Sequence, residues 1–346
     1  MNIVESQFGE QAKLFTMIND NGVQLSVTDF GARIVHLNVP IAGTQRELIL
    51  GFDSAEEYIT KDHYIGATIG RVAGRIANAS FNIGQKHYQV VKNENNNTLH
   101  GGPDSFEMQY WQSETSKSDD KLTTSFTHIS PDHSNGFPGN LTVKVTYTLD
   151  NNNVWRINYE ANTDALTLFN PTNHVYFNLT GHPSRSVADH LLSIDADHFA
   201  PLDDHNLTTG EARDVSQTTF DFRTAKKVNA AITSSEPQSL LVGGGLDHPF
   251  LLNKVVDSDA VQARLVSPDQ KVAINMQTTA PAVVVFTANF GDDYHVSMRE
   301  EQLLNHGGIT LETQVAPGAE KYHSFGDISL SENDTYHATT CFEIQF

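Results

Sequence analysis

Apolar and polar residues alternate strictly at Val23, Leu25 and Val27, again from Leu141 through Val143, Val145 and Tyr147 to Leu149, and again at Trp155, Ile157 and Tyr159. A period of two turns successive side chains to opposite faces, so these segments predict half-buried β-strands. The last two are separated by Asp150, Asn151, Asn152 and Asn153, residues that tolerate a left-handed backbone, and therefore predict an antiparallel hairpin. A second hairpin is predicted from Phe81 through Gly84 to Val90. Helical periodicity is nearly absent. Ser54 followed by Glu57 reads as a capping box for a turn or two, and Met298 to Leu304 predicts another short helix. Short strands punctuated by Gly, Asn, Asp and Pro from end to end predict an all-β fold, a large antiparallel β-sandwich with few short helices. No linker, low-complexity tract or repeat divides the chain, so residues 1–346 read as a single domain.

Charge narrows the partners. Against 22 Lys and Arg stand 42 Asp and Glu, a net charge of −20, which repels nucleic acid and anionic membrane surfaces and leaves a neutral small molecule as the expected partner. The first ten residues lack the basic and apolar regions of a signal peptide, and the apolar run Pro281 to Phe286 is far too short to span a bilayer. Cys341 is the only cysteine, so no intramolecular disulfide and no thiol-based zinc site can form. The expected setting is a reducing cytoplasm, as a monomer or homodimer.

The alternation test also bears on chemistry. From Pro171 to Leu179 it places Val175, Phe177 and Leu179 on one face and His174, Tyr176 and Asn178 on the other. From Ile309 to Gln314 it buries Ile309 and Leu311 and sets Thr310, Glu312 and Gln314 opposite, so a carboxylate can stand on a rigid strand. By pattern alone the ordinary reading of both polar faces is a wet outer sheet surface. His100 precedes Gly101 and Gly102, which leave space beside its imidazole. Asp247 follows Gly243, Gly244 and Gly245, a mobile loop rather than a phosphate cradle, since no strand–GxxxxGK–helix context accompanies it. Gly66, Gly70 and Gly74 recur at fours around Arg71 and Arg75, and Arg71 reads either as a structural ion-pair partner or as a hydroxyl clamp. His182, His190, His198 and His205 match no zinc spacing and are expected to be solvated.

Several of these segments together resemble the galactose mutarotase (aldose 1-epimerase) family, over nearly the whole chain. They include Asp29-Phe30-Gly31-Ala32, Leu50-Gly51-Phe52-Asp53, the run from Gly70 to Ile76, Asn97 to Gly102, and Gly136-Phe137-Pro138-Gly139. Thr172-Asn173-His174 through Leu179, Leu246-Asp247-His248 and Leu311-Glu312-Thr313-Gln314 complete the set. The resemblance implies an antiparallel β-supersandwich with an open cleft for a sugar. It implies Glu312 as general base and His174 as general acid, His100 near the ring oxygen, and Arg71 and Asp247 on sugar hydroxyls. The implied reaction exchanges the α and β anomers of a free aldose, D-galactose or D-glucose, by opening and reclosing the ring. That chemistry needs no metal or organic cofactor.

Two departures bear on substrate choice. After Glu312 the chain reads Val315, Ala316, Pro317, Gly318, Ala319, Glu320 where an Asp- and Asn-containing loop is expected, and Phe286 and Ala288 stand where Tyr and Gly are common. A reducing disaccharide or a hexose 6-phosphate are alternative substrates, although the negative charge argues against the phosphate. A non-catalytic sugar-binding protein and a glycoside hydrolase pairing Glu312 with Asp247 are the rival classes.

Overall fold

The computed structural model describes residues 1–253 and 260–346. The chain begins as a five-stranded antiparallel meander, Asn2–Phe8, Ala12–Ile18, Gln24–Thr28, Arg33–Ile41 and Thr44–Glu47. A nine-stranded antiparallel sheet follows. Its first four strands, Gln112–Lys117, Lys121–Ser130, Leu141–Asp150 and Val154–Thr163, pair in chain order. The C-terminal strand Tyr336–Gln345 then lies between Val154–Thr163 and Ala273–Thr278, beyond which come Ala263–Val266, Leu191–Ile194 and Lys226–Lys227. The last strand of the chain thus joins the two halves of the sheet.

Leu141, Val143, Val145, Tyr147 and Leu149 are all fully buried, as their alternation requires, in one apolar cluster with Phe15, Leu25 and Val27 of the meander. Trp155 stacks on Phe342 with ring centroids 4.4 Å apart, tying neighbouring strands together on the inner face. Each such side chain contributes about 1.5–3 kcal/mol by leaving water, and this burial is what fixes the register of the sheet. The expected hairpins form, Leu141–Asp150 with Val154–Thr163 and Ser80–Ile83 with Lys86–Gln89. Ser54 caps the short helix Ala55–Thr60 by accepting from the Glu57 amide.

Three expectations are corrected. Met298 to Leu304 is not helical: Ser297–Met298 pairs with Glu301–Gln302, and Arg299 and Glu300 take positive φ. The cause is tertiary, because Arg299 turns inward to an ion pair with Glu47 at 3.0 Å and donates to the Ile49 carbonyl at 3.1 Å. His190 is fully buried rather than solvated, and its Nε2 accepts from the Leu179 amide at 3.0 Å. Burial pulls this imidazole down to about 4, so it serves as a neutral acceptor in the core.

Arg71 is the third. It is buried, and its guanidinium donates to the carbonyls of Ser130, Pro131, Pro138 and Gly139 and to the hydroxyls of Ser130 and Thr167. It is neither an ion-pair partner nor a hydroxyl clamp for a ligand. It ties the loop between Lys121–Ser130 and Leu141–Asp150 to the segment at Thr167, and no donor is left over for a sugar. Replacing Arg71 with Met takes its donors from four carbonyls, of which that of Pro131 still accepts from the Ser134 amide. The expected loss is at least about 3 kcal/mol of unfolding free energy in urea titration, and a loss under about 1 kcal/mol would remove the structural role.

Candidate active site

A third antiparallel sheet carries the chemistry. Its order is Arg213–Asp214, His198–Phe199, Asp247–Leu251, Ala282–Phe286, Glu312–Gln314. Phe286 pairs with Asp247, Val284 with both Pro249 and Glu312, and Ala282 with Gln314. With a side-chain period of two, Asp247, Pro249, Val284, Phe286 and Glu312 therefore share one face, and all five line a single cavity of about 260 Å³. The polar side of the Glu312 strand is not wet. Glu312 is 3 % exposed and Gln314 2 %, because the cavity wall shields them.

Glu312 is oriented by a short relay. The Phe286 amide donates to Thr310 Oγ1 at 3.0 Å, and that hydroxyl donates onward to Glu312 Oε1 at 3.0 Å. Opposite stands His174, between the short strands Thr172–Asn173 and Tyr176–Phe177. Its backbone amide bonds the Ala67 carbonyl and its carbonyl accepts from Gly66. Its Nε2 lies 3.6 Å from Glu312 Oε1, and both side chains are almost wholly buried.

His100 is clamped by one residue. Its backbone amide donates to the Gly74 carbonyl at 3.0 Å, and its Nδ1 accepts from the Gly74 amide at 3.2 Å. An accepting Nδ1 fixes the proton of the neutral ring on Nε2. Burial first, then the neighbouring His174 and Arg75, hold the imidazole well below its ordinary value, so His100 is neutral and donates from Nε2. Its ring meets His174 edge-on at 5.1 Å and Tyr64 at 4.9 Å. Gly74 has φ +80, and a side chain there would strike Pro317.

Arg75, not Arg71, is the arginine at the cavity. The strand Arg75–Ile76 pairs with Thr98–Leu99, bringing Arg75 beside His100. Glu94 grips its guanidinium through two bonds of 2.6 and 2.8 Å, and its Nη1 reaches to 4.0 Å from Asp247 Oδ2. The Gly-Arg repeat could not separate the two arginines, since Gly70-Arg71 and Gly74-Arg75 are alike in spacing. Asp247 leaves a turn that is fixed, not mobile, with Gly244 and Gly245 donating to the Ser239 and Ala231 carbonyls. Tyr64, Gln314 and Glu320 also line the cavity. The sequence carries no signal for Tyr64, whereas alternation puts Gln314 on the Glu312 face and Glu320 ends the stretch that departs from the family pattern.

Ionisation follows burial. Desolvation raises the Glu312 carboxyl, with His174 and the Thr310 hydroxyl pulling it back. Desolvation likewise raises Asp247, with Arg75 and then His174 opposing it. A carboxylate, an imidazole, a second carboxylate and a guanidinium thus converge on one enclosed space, which suits proton transfer between two oxygens of a polyhydroxylated ligand. Among the described residues no group of three or more His, Cys, Asp or Glu is arranged to hold a metal ion, and no helix is long and apolar enough to cross a membrane.

Comparison with known proteins agrees with this architecture. The sequence profile of the family described as aldose 1-epimerase matches residues 13–343. The chain is 33 % identical over 341 residues to an aldose 1-epimerase of Escherichia coli, covering 98 % of this chain and 96 % of that one. It is 33 % identical over 322 residues to a galactose mutarotase of Homo sapiens, with 93 % and 91 % covered. Among solved structures, a galactose 1-epimerase from Lactobacillus acidophilus superposes with a TM-score of 0.87 at 31 % identity, over 99 % of this chain and 98 % of that one. With the profile and both relatives spanning almost its whole length, the chain belongs to the aldose 1-epimerase family.

Proposed function

We propose that this protein interconverts the α and β anomers of a free, neutral aldose such as D-galactose or D-glucose, with residues 1–346 acting as one catalytic domain. The observation that carries the proposal is the 3.6 Å approach of His174 Nε2 to Glu312 Oε1 inside a cavity large enough to admit a ligand between the surrounding walls. Opening a cyclic hemiacetal requires a proton to leave the C1 hydroxyl while another reaches the ring oxygen. Glu312, an acceptor held by Thr310, takes the first, and His174 in its protonated form gives the second. Once the aldehyde is free, rotation about C1–C2 presents its other face, and the two residues exchange roles to close the ring. His100, donating from Nε2, steadies the ring oxygen. Asp247 and Arg75 hold hydroxyls and keep the sugar still during that rotation.

The cavity also bears on substrate class. Among the described residues five carboxyl side chains line it against Arg75, Lys321 and, when protonated, His174, and Arg75 is already engaged by Glu94. A sugar phosphate would enter a field of its own sign. A cytoplasmic location, and a monomeric or dimeric state, complete the reading as proposals.

Polarimetry of freshly dissolved α-D-galactose should show catalysed mutarotation, and glucose 6-phosphate little or none; faster turnover of the phosphate would overturn the substrate class. Glu312→Gln and His174→Asn should each lower kcat by about 10²–10⁴-fold with folding intact, and near-normal kcat in either variant removes that residue from the pair. Because burial raises the folded-state ionisation of Glu312 above the ordinary 4.5, the base form is present at higher pH and is lost as pH falls through that raised value. The acid limb of kcat/KM should therefore have its midpoint above 4.5. By the same sign, Glu312→Gln should be at least as stable as the parent near about pH 7, since it removes a penalised charge. Melting curves across pH that show a clear loss would contradict the raised ionisation.

A further inference from the structure

We infer that Glu320, on the loop after the Glu312 strand, is a specificity-determining residue that binds a sugar hydroxyl remote from the anomeric carbon. The inference rests on the aldose reading above and deepens it. Glu320 lines the same cavity as Glu312 and His174, yet it stands outside their charge cluster. Glu312, Asp247, Arg75 and His174 lie close enough to influence one another's ionisation, whereas the neighbour that acts on Glu320 is Lys321.

Among the described residues the carboxyl of Glu320 has no ion pair and no side-chain hydrogen bond. Its Oε2 is shut off from solvent and has no hydrogen-bond partner among the described residues, and the backbone amide that assists the group is its own. Lys321, the adjacent cation, is drawn over the Tyr322 ring at 4.8 Å. Leaving a buried acceptor unpaired costs about 1–3 kcal/mol, a cost that a ligand hydroxyl can offset once the carboxyl turns from its shielded position towards the cavity. Burial pushes the carboxyl up to about 7, so near neutrality it can either accept from a hydroxyl or donate to one.

The position of this group is built, not incidental. Asn170 grips the start of the loop from both sides, donating to the Val315 carbonyl at 2.9 Å and accepting from its amide at 3.0 Å. Thr208 donates to the Pro317 carbonyl at 2.7 Å. Gly318 has φ +90, and its carbonyl accepts from the amides of Lys321 and Tyr322. Ala316 and Ala319 are sunk in an apolar cluster with Val72 and Phe137. With both alanines buried, Glu320 is presented at the wall by a pinned turn. This is also the stretch where the sequence departs from the pattern expected of the family, which suits a residue that chooses among sugars rather than one that moves protons.

The test compares the parent with Glu320→Ala and Glu320→Gln on galactose and on its 2-, 3-, 4- and 6-deoxy analogues, by polarimetry for turnover and calorimetry for binding of the non-opening 1,5-anhydrogalactitol. Loss of a hydrogen bond to a carboxyl predicts a KM for galactose raised about 10- to 100-fold in Glu320→Ala, with kcat changed less than about two-fold and partial rescue by Glu320→Gln. For one deoxy analogue, the one lacking the bonded hydroxyl, the substitution should make no difference. An unchanged KM across the panel overturns the inference, and so does an equal rise for every analogue, which is the mark of a structural role. If the parent turns over no aldose, the function proposed above fails by itself, and weaker binding of anhydrogalactitol to Glu320→Ala still decides the role of Glu320.

Discussion

Glu312, His174, Asp247 and Arg75 have been taken out of bulk water together, and each makes the others tolerable there. A lone carboxylate in such a place would protonate and cease to be a base. Here His174 and Arg75 draw the two carboxyl groups back towards ionisation while burial pushes them the other way. Glu94 completes the balance from the far side of Arg75, fixing the guanidinium so that it cannot swing to neutralise Glu312 outright. The Glu312 carboxyl is thus weakly solvated yet drawn towards its ionised form by its neighbours, a setting in which accepting a proton would require little rearrangement of water.

The backbone supplies the accuracy. Asp247, Val284 and Glu312 sit on three adjacent strands whose pairing register admits one arrangement, and a slip of a single residue would turn all three away from the cavity. That register is set by ordinary packing, since Val283 and Val285, between the cavity-facing positions, belong to the main apolar cluster. Thr310 then converts a backbone amide of the central strand into an orientation for the Glu312 carboxyl. Glu312, Asp247 and Arg75 all stand on strands, whereas Glu320 stands on a loop, so that side of the pocket wall can vary while the strand-borne groups stay in place.

Strand pattern made the large features of this molecule legible. The alternation from Leu141 to Leu149, the Asp150 to Asn153 turn and the Ser54 cap are local signals, and local physics was enough for them. The alternation at Glu312 and His174 named the right faces but not their condition: both are dry, because a second layer of chain covers them, and that layer is brought in from distant sequence. Arg71 and Arg75 illustrate the limit more sharply. They are four residues apart in one Gly-Arg repeat, yet one donates to backbone carbonyls in the interior and the other to a carboxylate at the cavity. Nothing in the residue types distinguishes them, because the difference lies in what the loop around Pro138 and the strand at Thr98 bring alongside. The Met298 to Leu304 segment is not a helix for the same kind of reason, a half-buried ion pair to Glu47 that no periodicity records.

Asn170 is a joint between the interior and the pocket loop. Its main chain bonds the Arg71 carbonyl and the Ala73 amide, while its side-chain amide imitates one rung of a ladder against Val315. A single residue thus couples the interior clamp to the pocket loop without asking that loop for any particular side chain. A change of the Glu320 side chain alone leaves that anchor, the buried Ala316 and Ala319 and the turn at Gly318 in place, a plug-and-socket arrangement at one point of the pocket wall.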